Sequence, residues 1–211
     1  MSRLYVYCEG YSERDFVRKI LSPYLSNYGI SAEPIVCTTG KKNGAIYKGG
    51  VSTYSKIRCE LRRICSEHRN EYITSMFDYY GLPSDTPGIE SNDIEQIEKS
   101  VAEDIGADNL FAYLSKHEFE ALLFSNVDCF RECYSDHAVL ELKKIKSAYK
   151  TPEDINNSRE TAPSKRILEV IPEYKKVIDG TTIAECIGIE KMMAECPRFK
   201  AWVCDIINRC K

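Results

Sequence analysis

Leu4-Tyr5-Val6-Tyr7-Cys8-Glu9-Gly10-Tyr11-Ser12-Glu13-Arg14-Asp15 is a run of β-formers that stops at a carboxylate and a glycine and turns at once into a helix start. Ser12 to Asp15 has the S-x-x-D form of a capping box. Beyond it Phe16, Val17, Ile20, Leu21, Tyr24, Leu25 and Tyr28 recur at alternating spacings of one and three, one apolar stripe that predicts a helix ending at Gly29. A strand followed directly by an amphipathic helix is the opening of a βαβ unit.

The same alternation continues down the chain. Pro34 to Thr38 reads as a second strand, followed by a glycine- and lysine-rich loop that contains Lys41, Lys42 and Lys48. Ile57, Leu61, Ile64, Cys65 and His68 mark a helix capped by Ser52 or Thr53. Tyr72 to Phe77 is a third strand ending at Asp78, Ile94 to Ile105 a third helix closed by Gly106, and Leu110 to Leu114 a fourth strand. Strands and helices alternating at this length predict right-handed crossovers and an α/β fold, a Rossmann-like, doubly wound, mostly parallel four-stranded sheet. From about Val127 strand signals cease. The expected organisation is an α/β core over residues 1–126 and a C-terminal helical extension over 127–211, packed on the core. The last helix, opened by Pro197, carries Phe199, Trp202, Val203, Ile206, Ile207 and Cys210 on one face, which must dock.

With 211 residues, 43% of them apolar, the chain can bury a substantial core without staples. No apolar run approaches membrane-spanning length and no signal-peptide segment is visible, so a cytoplasmic protein without membrane contact is expected. The ten cysteines form no Cys-x-x-Cys pair and read as small core residues; with three histidines, none at zinc-ligand spacing from a cysteine pair, a zinc centre is not expected. A net charge of −3 gives no global nucleic-acid signal, so such contact would rest on local patches or on a partner.

Ligands of an open parallel sheet bind at the carboxyl ends of its strands, where three groups of residues should meet. Glu9, with Gly10 in the turn and Glu13 in the first helical turn, suits Mg²⁺, a hard cation that takes one or two carboxylates beside a substrate phosphate. The plainer alternative is a solvated Glu9 and a Glu13 that complements the helix dipole. Asp78 ends the third strand, as a ligand or as a turn cap. His117, Glu118 and Glu120 follow the fourth strand; on an α-helix the two glutamates would point about 200° apart and would not share an ion. Lys41, Lys42, Lys48, Arg58, Arg62 and Arg63 offer phosphate contacts or ordinary solvated charge. Lys165 and Arg166 stand at a predicted helix start, where backbone amides add to their charge in gripping an anion; a structural clasp is the alternative.

Tyr7-Cys8-Glu9-Gly10-Tyr11-Ser12-Glu13, Met76-Phe77-Asp78-Tyr79-Tyr80-Gly81-Leu82-Pro83, His117-Glu118-Phe119-Glu120-Ala121-Leu122-Leu123-Phe124 and Glu153 to Arg166 together resemble a bacterial Toprim-like family of unknown function. That family is similar to OLD-type nucleases and is often paired with an ABC/SMC-like ATPase in phage-defence operons. The resemblance implies a Toprim fold, Glu9 as metal ligand or general acid/base, and Asp78 as the first aspartate of an Asp-x-Asp pair. Tyr80 stands at the second. Glu13, Glu118 or Glu120 would then supply the missing charge. The expected activity is Mg²⁺- or Mn²⁺-dependent phosphodiester chemistry on nucleic acid, with Glu9 and Asp78 catalytic, Glu9, Glu13, Asp78, Glu118 and Glu120 on the metal, and Gly10, Lys41, Lys42, His117, Lys165 and Arg166 on the substrate. The rival expectation is a non-catalytic binding or regulatory subunit of the ATPase. A homodimer is compatible with either, and nucleotidyl transfer, as in primase-type Toprim domains, is a third option.

Overall fold

The computed structural model describes residues 1–42, 45–48, 53–156 and 158–211, with side chains left out at 38–42, 45–48 and 159. Its sheet is parallel throughout and runs in the order β2-β1-β5-β6, with β7 extending the β5 edge. These strands are β1 (Ser2–Cys8), β2 (Ile30–Val36), β5 (Tyr72–Asp78), β6 (Leu110–Phe111) and β7 (Leu114–Ser115). β1 faces β2 from Ser2↔Ile30 to Cys8↔Val36 and β5 from Leu4↔Tyr72 to Cys8↔Met76, so Glu9 and Asp78 leave the sheet side by side.

Both faces are covered, which is why β1 reads as a continuous apolar run rather than an alternation. Tyr5 and Tyr7 face α3 (Tyr54–Glu67) and α4 (Ile94–Ile105) through Ile57, Leu61, Ile64, Ile97, Val101 and Ile105. Leu4, Val6 and Cys8 face the other way, onto one apolar cluster shared by α1 (Tyr11–Phe16), α2 (Ser22–Ser26) and the helices after Val127. Those helices are α5 (Asp136–Ser147), α6 (Pro163–Val170), α7 (Ile178–Ile187), α8 (Ile189–Glu195) and α9 (Pro197–Cys210). All six residues expected on the docking face of α9 are buried, and the Trp202 indole donates to Thr74 Oγ1 in β5 at 3.0 Å. Among the described residues no helix is long and apolar enough to cross a membrane.

The expected fold class is therefore the one the chain adopts, with local differences. The first helix carries a π-helical stretch, Val17–Leu21, between α1 and α2. The glycine- and lysine-rich segment is not a plain loop: β3 (Thr38–Lys42) and β4 (Ala45–Lys48) pair as an antiparallel hairpin. The fourth strand is split into β6 and β7, each against β5, and the segment Phe119–Glu132 is 3₁₀ with a kink at Asn126. The cysteines are not all free: Cys129 and Cys186 form a disulfide with Cα atoms 5.7 Å apart. Their separation of 57 residues hid it from any reading of spacing. Five of the free ones, Cys8, Cys37, Cys65, Cys196 and Cys210, are buried as expected of core residues.

Candidate active site

Strand β1 ends at Cys8, and the Glu9 amide still bonds the Met76 carbonyl at 3.2 Å, so the parallel ladder fixes where Glu9 stands. Its carboxylate turns toward β5, where Oε2 accepts the Asp78 N–H at 3.1 Å. Gly81 makes room for it, since a Cβ there would lie 2.6 to 2.9 Å from the carboxylate atoms of Glu9. Helix α1 starts two residues earlier than a Ser12 cap would place it, with Gly10 as its cap, and in place of a Ser12–Asp15 box Glu13 Oε2 accepts the Gly10 N–H at 2.9 Å. That bond pulls a 3% exposed carboxylate back over the β1 turn. Glu13 thus complements the helix start and belongs to the crevice at once.

Asp78 is buried and accepts the Phe119 N–H at 2.9 Å through Oδ1. Its other oxygen lies 3.6 Å from the Lys176 ammonium. The same ammonium is 3.0 Å from Glu120 Oε2. Glu120 is fully buried, and neither of its oxygens has a hydrogen bond of good geometry among the described residues. Buried polar atoms are nearly always bonded, so this one is marked as unusual. Tyr174, also buried, ends in a hydroxyl that lacks a partner among the described residues and feels the Glu120 charge.

Burial dominates the acidity of this crevice. It pushes Glu120 up to about 7 despite the opposing pull of Lys176. It raises Asp78 well above the usual aspartate value, with Lys176 pulling down and Glu13, Glu9 and Glu120 adding to the rise. It raises Glu9 too, against the Asp78 N–H bond. Desolvation pulls Lys176 down, but Glu120, Asp78 and Glu13 outweigh it and hold its ammonium well above the ordinary lysine value. The Lys176 side chain is 41% exposed overall, whereas its charged end rests on a carboxylate with no exposure at all.

The other expected site residues are distributed around this centre. Glu118 does not enter the 3₁₀ segment; it stands at its N-cap, and its Oε2 accepts the Ser164 N–H at 3.0 Å. An internal carboxylate therefore takes the start of α6, an arrangement of the clasp kind, the alternative to an anion gripped near Lys165 and Arg166. Lys165 is exposed and Arg166 pairs with Glu169 at 3.3 Å. Arg58 of α3 pairs with Asp104 of α4 at 2.8 Å, and Arg63 pairs with Glu67 within α3 at 3.0 Å. Lys41, Lys42 and Lys48 sit in the β3–β4 hairpin, and their side chains lie outside the described residues.

His117 has a left-handed backbone, φ 73°, uncommon for a residue with a side chain. Its ring stacks on Tyr80 at 5.2 Å, and Asn156 bridges the two, meeting His117 Nδ1 at 3.2 Å and the Tyr80 hydroxyl in a very short contact. Tyr80 thus holds the rim of the crevice instead of supplying a second aspartate. Burial, reinforced by the nearby Lys116, lowers the imidazole to about 4. Because the folded state protonates later than an ordinary imidazole of about 6.5, the unfolded chain binds more protons between these values, and His117 withdraws stability as pH falls through that window. In a proton NMR titration, the imidazole resonance missing from His117→Asn should keep its neutral shift at about pH 5.5. A midpoint above about pH 6 would refute this.

Lys176, Tyr174, Asn156 and Gly81 were not singled out by the sequence. Asn156 lies in a polar stretch without strand or helix signal, which hinted at a role other than packing. Nothing in the spacing of Glu173-Tyr174-Lys175-Lys176 marks Lys176.

Glu9, Glu13, Asp78 and Glu120 form an all-oxygen donor set, the chemistry a hard divalent cation requires. The orphaned oxygens of Glu120 fit such an ion as well. As the side chains stand, no three acidic, histidine or cysteine groups among the described residues are arranged to hold one ion, and the Lys176 ammonium supplies the positive charge. A groove of about 650 Å³ opens between Arg62, Arg69, Tyr72, Asp108 and Asn109. It lies at the amino ends of β5 and β6, the wrong edge for a ligand of a parallel sheet.

A family model described as Domain of unknown function (DUF4276) matches residues 8–207. No curated protein and no solved structure gave a significant match.

Proposed function

The chain belongs to the family of that model, and from the carboxylate crevice we propose that it carries out metal-dependent phosphodiester cleavage of nucleic acid. The observation that carries the reading is Glu120, a fully buried carboxylate without a hydrogen bond among the described residues, beside Asp78, Glu9 and Glu13. Glu9, Asp78, Glu13 and Glu120 would hold Mg²⁺ or Mn²⁺, while Glu118 caps α6. The ion would supply polarisation of a phosphate oxygen and a more acidic water.

The chain's own residues do the rest. Asp78 is held by the Phe119 amide, Glu9 by the Asp78 amide and Glu13 by the Gly10 amide, so three carboxylates are fixed by main-chain donors before any substrate arrives. Lys176 offsets part of the like-charge repulsion that gathering four acids creates. His117 and Tyr80 form the aromatic rim beside Glu118, with Gly10 on the Glu13 side; Lys41, Lys42, Lys165 and Arg166 are the cations proposed for the nucleic-acid backbone. The partner proposed from the family resemblance is an ABC/SMC-like ATPase, in an antiviral defence system.

The test is Glu9→Gln, which keeps the size of the side chain and removes its charge. Mg²⁺-stimulated cleavage of DNA or RNA should fall to background while circular dichroism and melting stay those of a folded protein; cleavage at the unsubstituted rate sinks the reading. A second reading, a binding or regulatory subunit without catalysis, is favoured by the ammonium of Lys176 at the centre of the acids. Copurification with the ATPase without metal uptake in calorimetry would support it.

A further inference from the structure

Lys176 stands in the connection between α6, which ends at Val170, and α7, which begins at Ile178. Both sides of this connection are anchored. Tyr174 is buried, and its hydroxyl would lie 2.7 Å from a Cβ placed on Gly180. Asp179 accepts the Lys175 N–H at 2.7 Å and the Tyr134 hydroxyl in a very short bond. Val177 and Ile178, by contrast, are exposed, at 37% and 66%. The short piece carrying Lys176 is thus pinned at its ends and free on its outer side.

The ammonium at the tip lies where a small cation bound by Asp78 and Glu120 would lie, 3.6 Å from one carboxylate and 3.0 Å from the other. Two polar groups next to it lack a hydrogen bond of good geometry among the described residues, the Glu120 carboxylate and the Tyr174 hydroxyl. An ammonium offers only donors, so one lysine on a long stem meets one oxygen of Glu120 and cannot bring the extra oxygens that a hydrated ion brings. The crevice is therefore compensated in charge, while Glu120 Oε1 and the Tyr174 hydroxyl stay without a partner among the described residues.

We propose that Lys176 is a built-in counter-cation that occupies the Asp78–Glu120 side of the crevice, so that a divalent ion must displace its ammonium to bind there. The proposal rests on the metal-binding reading of the site. Asp78 and Glu120 cannot face the ammonium and a metal ion at once without placing two positive charges side by side. Ion entry then requires the side chain to swing toward solvent, and the exposed stem gives it a path.

The experiment is Mn²⁺ titration of the whole chain by calorimetry and electron paramagnetic resonance, with thermal melts in the presence and absence of Mn²⁺. Lys176→Met and Lys176→Gln remove the charge, and Lys176→Arg retains it; two neutral variants are made in case one does not fold. The neutral variants should bind Mn²⁺ roughly tenfold tighter than the unsubstituted protein, since a competing charge is gone. They should also melt lower without metal and gain more from Mn²⁺, while Lys176→Arg follows the unsubstituted protein. Equal or weaker Mn²⁺ affinity in the folded neutral variants overturns the counter-cation and leaves the metal site standing. Absence of Mn²⁺ binding in every protein, substituted or not, removes the metal site and the counter-cation together.

Discussion

Trp202→Ala should cost about 3–5 kcal/mol and lower the melting temperature by roughly 10–15 °C in a chain of this length. The indole is 5% exposed and stacks on Tyr113 with ring centres 4.3 Å apart and planes 10° from parallel. It also packs against Phe199. Its N–H reaches Thr74, a fully buried threonine of β5 that already donates to the Phe111 carbonyl at 2.7 Å. Truncation would empty the contact between α9 and the sheet and strip Thr74 of its donor. Trp202→Phe keeps the ring and loses the bond, so it should fall between, closer to the unsubstituted protein. A melt lowered by less than about 3 °C in Trp202→Ala would show that α9 contributes little to the core.

Gly81→Ala is the most severe small change expected at the crevice. The added methyl would meet the Glu9 carboxylate at 2.6, 2.7 and 2.9 Å, nearer than side-chain carbons approach such atoms. Glu9 would have to leave the Asp78 amide, and a displacement of this order costs about 100-fold in a reaction that depends on positioning. The three atoms nearest to the methyl all belong to the Glu9 carboxylate, the far end of a side chain that can turn away, so the melting temperature should change little. Metal-stimulated cleavage and Mn²⁺ affinity should both fall, and cleavage at the unsubstituted rate would mean that the Glu9 rotamer does not matter. Gly81→Ala is thus a test of position where Glu9→Gln is a test of charge.

The strands and helices that position these residues were legible because burial leaves a period in the sequence. Leu4 to Cys8 reads as a strand buried on both faces, and Ile94, Ile97, Val101 and Ile105 as one helical stripe closed by Gly106, whose φ of 68° is the left-handed C-cap expected of it. The placing of Glu9, Glu13 and Asp78 at one sheet edge was legible because Glu9 and Asp78 stand where strands end and Glu13 where a helix begins, in elements whose direction the topology dictates. Glu118 and Glu120 were half legible: an α-helix would send them apart, and the chain does separate them, but through a 3₁₀ segment that leaves Glu118 outside as a cap. Lys176 was illegible, since it is brought in by a connection between helices with no period of its own. The Cys129–Cys186 link was hidden for the same reason, because it depends on how two distant segments meet.

The pairing of β1 has a consequence for the birth of the chain. This strand is made before both of its neighbours, Ile30 to Val36 on one side and Tyr72 to Met76 on the other, and the apolar face behind it is closed by residues as late as Phe199 and Trp202. Contacts of such long range form slowly, and a half-made parallel sheet exposes apolar surface and open strand edges. During vectorial synthesis on the ribosome, the nascent sheet would wait with Leu4, Val6 and Cys8 covered only in part, by Phe16, Val17, Ile20 and Leu21, until the α9 segment emerged. Refolding from denaturant should be slow for its size, and a nascent chain stalled before Pro197 would be a client for chaperones.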